Sequence, residues 1–100
     1  MNAKITHIQV NVSNFEVSKR FYSELFEILE WKKYMEEEGV ISWTSGDFSF
    51  WVVKTETRFK RNKFHRKNTG LNHLAFRVNS REEVNKFANK LLLIFLNLLV

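Results

Sequence analysis

The side chains best suited to chemistry in this sequence are two histidines set in matching surroundings. His7 opens the stretch HIQVNVSNFEVSKRF and His73 opens HLAFRVNSREEVNKF. Laid over each other without a gap, His7 falls on His73, Ile8 on Leu74, Val10 on Phe76, Val12 on Val78, Glu16 on Glu82 and Phe21 on Phe87. A repeat this long signals a duplicated supersecondary unit rather than a solenoid of short repeats. Neutral imidazole is a ligand for divalent transition metals. A lone histidine on a half-buried strand is more often structural, whereas two at equivalent places argue for a shared role. Cysteine is absent, which removes thiolate ligands, a cysteine nucleophile and a disulfide framework. The third histidine, His65, sits among basic residues and reads as solvated.

The elements that must carry these histidines follow from the apolar pattern. In KITHIQVNV, Ile8, Val10 and Val12 share one face, and His7, Gln9 and Asn11 share the other. A helix is predicted next. Ser13 and Glu16 have capping-box spacing, and Val17, Phe21, Leu25 and Leu29 recur every four residues. Three short strand-like runs follow, WKKYMEEE, VISWTS and DFSFWVVKT, broken by Gly39 and by Gly46–Asp47. Residues 1–57 therefore read as one βαβββ module. Residues 58–69 read as a basic connector, and 70–100 as the start of a second module. There LNHLAFRV is predicted as a strand, with Leu74, Phe76 and Val78 on one face and His73, Ala75 and Arg77 on the other. A helix is expected from about Ser80, with Glu83 at capping distance. The closing run LLLIFLNLLV matches nothing in the first copy, so the second module reads as incomplete, its remaining strands absent.

Composition bounds the rest. One hundred residues suit one domain with a modest core, and aromatic content is high at 15%. The net charge of +5 is concentrated, because RFKRNKFHRK at 58–67 holds six of the sixteen Lys and Arg. Such a run with Phe59 and Phe64 interleaved could follow a phosphate backbone, but a solvated connector is the expected role, with no specific nucleic-acid partner. The apolar end is too short for a membrane span. The opening residues lack the pattern of a secretory signal, and together with the absence of cysteine this points to the cytoplasm.

Taken together, ITHIQVNVSNFEVSKRFYSELF and NTGLNHLAFRVNSREEVNKFANKL resemble the vicinal oxygen chelate superfamily, over roughly residues 4 to 90. That superfamily includes glyoxalases, bleomycin- and fosfomycin-resistance proteins and ring-cleaving dioxygenases. The resemblance implies an α+β fold of paired βαβββ modules, here with the first complete and the second incomplete. It implies a cupped sheet with its helices outside and a divalent metal (Zn, Ni, Mn, Fe or Co) on the concave face. On this pattern His7 and His73 are metal ligands opening into one concavity, and the metal stabilises negative charge on adjacent substrate oxygens. The sequence also departs from the pattern. Glyoxalase-type members place a glutamate on the last strand of the first module, yet FSFWVVK has no carboxylate and Glu56 lies past its end.

For ligand contact, Gln9 shares the His7 face, and Trp43, Phe50 and Val52 are candidates to line an apolar pocket. Core packing is the competing role for those three, and strand parity sets Trp51 opposite Phe50 and Val52. Two activities follow. One is a metal-dependent enzyme of glyoxalase type acting on a small oxygen-rich molecule. The other is a metal-free small-molecule binding protein of bleomycin-resistance type, or a shortened chain without function. Missing strands would leave apolar surface and strand edges open, so a homodimer that buries the LLLIFLNLLV end is expected.

Overall fold

In the computed structural model, residues 1–99 are described, with side chains through residue 94. Strand β1 spans His7–Val12, helix α1 Phe15–Ile28, β2 Lys32–Glu37, β3 Val40–Thr44 and β4 Ser49–Lys54. A short 3-10 turn at Thr57–Phe59 begins the basic connector, and α2 runs Arg81–Leu99. The four strands form one sheet in the order β1-β4-β3-β2. β1 is parallel to β4, and the other pairs are antiparallel. The protein is α+β, with its helices on one side of a mixed sheet.

The period-2 pattern of β1 decides which face α1 covers. Ile8, Val10 and Val12 turn inward and pack on a cluster of Phe26, Ile41, Trp43, Phe50 and Val52. Phe26 is its centre, fully buried, with the rings of Trp31, Trp43 and Phe50 at 4.9, 5.0 and 5.4 Å. Aromatic pairs at these separations add to the stabilisation from area burial alone.

The start of α1 differs by a residue from the sequence reading. Asn14, not Ser13, is the N-cap, its side chain accepting from the Val17 N–H at 3.3 Å. At the other end Glu30 takes a left-handed φ of 62°. This lets the Trp31 N–H reach the Phe26 carbonyl at 2.9 Å and the Glu30 N–H reach that of Glu27 at 3.1 Å. That is the Schellman closure, completed by the Trp31–Phe26 ring contact. It fixes the direction in which the chain leaves α1 to enter β2.

One charged link joins α1 to β2. Glu36 receives both Lys19 of α1 and Lys33 of its own strand. Hydrogen bonding from Lys19, then from Lys33, lowers its carboxyl from 4.5 to about 2. A depressed folded-state value means stability that is present above the unfolded value and lost as pH falls. Thermal unfolding should therefore show a small loss of stability between pH 4.5 and about 2 that Glu36→Gln removes. The effect is modest because the pair lies at the surface. An identical acid profile in Glu36→Gln would show that this link contributes nothing.

The second copy departs most from expectation. α2 begins where predicted: Ser80 Oγ accepts from the Glu83 N–H at 3.2 Å, and Glu83 Oε2 accepts from the Asn79 N–H at 2.9 Å. No strand forms over 71–78. Alternation prepares a segment for a sheet, but a strand exists only when a neighbour supplies the other half of each ladder hydrogen bond. Among the described residues none does. The apolar parity still operates, since Phe76 reaches the core edge, 6.1 Å from Phe26 and 5.9 Å from Trp31. The LLLIFLNLLV stretch continues α2 as far as Leu99. Ile94 is buried, Leu92 and Leu93 are exposed, and side chains 95–100 lie outside the described residues.

Candidate functional site on the open face of the sheet

Because α1 takes the inward row of β1, the outward row of His7, Gln9 and Asn11 stands on a face that no helix among the described residues covers. All three are exposed. Register extends this face across the sheet. Ser49 lies beside His7, Trp51 beside Gln9 and Val53 beside Asn11. Beyond them on β3 come Thr44, Ser42 and Val40.

A shallow hollow of about 310 Å3 lies at the His7 end, lined by Thr6, His7, Tyr34, Asp47, Ser49 and Trp51, with neighbouring turn residues. Thr6 Oγ1 lies 3.0 Å from His7 Nδ1, which leaves Nε2 as the ring nitrogen turned to other partners. The indole of Trp51 is held by its Nε1 donating to Ser49 Oγ at 2.8 Å. The Gly46–Asp47 turn is pinned from Thr44, whose hydroxyl donates to the Phe48 carbonyl and accepts the Gly46 N–H. Asp47 is thereby carried to the rim. Ser42, on the same face, is fully buried and its hydroxyl has no hydrogen-bond partner.

His7 and Gln9 thus share one open face as the sequence predicts. Trp43, Phe50 and Val52 do not join them. They face α1 as core residues, at 4%, 2% and 0% exposure, and line no wall around His7. The reason is register: β4 pairs with β1 so that Phe50 and Val52 fall beside Ile8 and Val10. The aromatic residue on the His7 side is Trp51, and Tyr34 and Asp47 accompany it. Trp51 was not legible as a site residue, because strand parity does not say which row of β4 meets which row of β1.

His73 is exposed, its Nδ1 2.7 Å from the side-chain oxygen of Asn72. It does not line the hollow at His7. The segment after it instead borders a wider trough of about 910 Å3 between the end of α1 and α2. Among the described residues no group of three or more His, Cys, Asp or Glu is placed to hold a metal ion. A catalytic zinc-type centre uses three protein ligands. The described donors of one copy therefore do not complete one. Likewise, no helix among the described residues is long and apolar enough to cross a membrane.

The order of elements, the sheet with a helix on one face and the His-bearing first strand define a glyoxalase-type module. Residues 4–92 match the family model of the Glyoxalase/Bleomycin resistance protein/Dioxygenase superfamily, and the chain belongs to that family. It is 35% identical over 85 residues to the uncharacterized protein YqjT of Bacillus subtilis (strain 168), covering 85% of this chain and 66% of that protein. The crystal structure of a candidate glyoxalase from Bacillus halodurans is similar with a TM-score of 0.84 and 39% identity, over 87% of this chain and 65% of that one. The lactoylglutathione lyase of Agrobacterium tumefaciens shares the fold at a TM-score of 0.56 and 10% identity, over 93% of this chain and 71% of that enzyme. The chain thus spans just under two thirds of the length of the first two.

Proposed function

We propose that this chain handles a small oxygen-rich molecule on the open face of its sheet, with glyoxalase-type, metal-dependent chemistry. The observation that carries this reading is the row His7, Gln9 and Asn11, presented on the face that α1 leaves uncovered in a chain of this family. His7 and His73 are its proposed divalent-metal ligands, for Zn, Ni, Mn, Fe or Co, and Gln9 its proposed substrate contact. Within one copy His73 does not line the hollow at His7, so a homodimer is the proposed source of a complete donor set. Leu71, Leu74, Phe76, Leu92 and Leu93 are exposed, an apolar surface that a second copy would cover.

A metal-free binding role is the second reading. It is favoured by the outward row of β4, which is Ser49, Trp51 and Val53 without a carboxylate.

Calorimetric titration of the full chain with these metals, alongside sedimentation, separates the two. The expected result is a dimer that binds metal and loses binding in both His7→Ala and His73→Ala. A folded chain that takes up none of the metals would replace the enzyme reading with the binding one. Uptake unaffected by His7→Ala would overturn the assignment of the open face.

A further inference from the structure

β2 contains one residue more than its ladder uses. Lys33 pairs with Trp43 and Met35 with Ser42, so Tyr34 is the extra residue of a bulge. In a regular strand Tyr34 and Met35 would point to opposite faces. Here the two share the open face: Tyr34 follows in alternation from Lys32, which pairs with Thr44, and the bulge brings Met35 into the Ser42 row on the same side. Its ring meets Trp51 edge-on, centroids 5.9 Å apart and planes at 84°. Tyr34 and Trp51 come from β2 and β4, so the contact crosses over β3.

Tyr34 itself adds nothing to the core. Tyr34 remains 64% exposed, and the bulge breaks the register of the β2–β3 ladder. Its structural result lies on the open face: two nearly perpendicular rings making a corner, both lining the hollow that contains His7. Trp51 is held in that orientation by Ser49. The rim carries the Asp47 carboxylate, which disfavours an anionic group and favours a hydroxyl donor.

The geometry points to Tyr34 and Trp51 as the specificity-determining corner of the small-molecule site, selecting a flat, conjugated carbon framework that bears a neutral hydroxyl group. Stacking on one ring while meeting the other edge-on satisfies one face and one edge of such a framework, as a saturated skeleton of the same size cannot. The assignment rests on the open face being the ligand face, but not on a metal being bound there.

The test uses the full chain and 2-naphthol as probe, followed by amide chemical shifts in a nuclear magnetic resonance titration. Decahydro-2-naphthol and 2-naphthoate are the comparison ligands. Shifts should map to β2, β4 and the Gly46–Asp47 turn. Tyr34→Ala and Trp51→Leu should each weaken 2-naphthol by about tenfold, the equivalent of one aromatic pair, while Tyr34→Phe keeps it. Both comparison ligands should bind more weakly than 2-naphthol. Circular dichroism melting of each variant separates lost contact from lost fold, and Tyr34→Phe preserves the ring if Tyr34→Ala melts. If 2-naphthol maps to the open face and responds to His7→Ala but not to either ring truncation, the corner is overturned while the ligand face stands. If no residue of the open face shifts, both fall.

Discussion

Phe26→Ala is expected to lower the free energy of unfolding by about 3–5 kcal/mol, the cost of deleting a large buried ring. The site is poorly able to collapse, because the ring is fully buried and its neighbours are themselves rings locked on each other. Trp31, Trp43, Phe50, Tyr22 and Phe76 all have centroids within 6.1 Å of it. It also closes the end of α1, so the deletion removes the apolar half of the Schellman closure. Domains of this size are commonly stable by only about 5–15 kcal/mol, so the variant should be substantially unfolded in mild denaturant. Urea titration followed by far-ultraviolet circular dichroism measures it. Phe21→Ala, on the same helix but only half-buried, is the comparison. Equal losses at the two positions would show that Phe26 is not the centre of the core.

The second large effect separates neighbours on one strand. Val52→Asp should abolish cooperative folding at neutral pH, whereas Val53→Asp should change stability by less than about 1 kcal/mol. Val52 is fully buried between Val10 and Ile41, and a carboxylate there has no partner and no water. Val53 lies beside Asn11 on the open face, where a carboxylate stays hydrated. Thermal melts of the two variants at pH 7 decide the matter. A folded Val52→Asp beside an unfolded Val53→Asp would reverse the two faces of the sheet, and with them the site.

That contrast marks how far the sequence was legible. Within β1 the alternation is clean, and both the core row and the row of His7 and Gln9 could be read from it. β4 is apolar or aromatic in both rows, so Phe50, Trp51 and Val52 carry no internal sign of which way they face. Only the parallel register with β1, a contact between segments far apart in the chain, settles it. Tyr34 was hidden for a related reason. Bulges have no fixed composition, and a single extra residue inverts parity for everything before it. Capping distances are local, and they located the start of α2 at Ser80 and, within a residue, that of α1. The segment around His73 shows the opposite limit, since its alternation was read correctly and yet no strand formed. The membership of the chain in its family was legible from the paired motifs, but the partner strands for 71–78 were not, because pairing is not a property of one segment.

The position of β1 also orders events in time. β2, β3 and β4 follow one another through short turns and can zip together as local hairpins. Among the described residues β1 has no neighbour in the sheet except β4, and His7 must wait for Ser49 before its ladder begins. Closing so long a loop costs entropy before any hydrogen bond offsets it, so the three-stranded meander with α1 is the natural nucleus and β1 docks late. β1 thus precedes those strands in the chain yet is secured after them, and the histidine it carries enters its final surroundings late in folding.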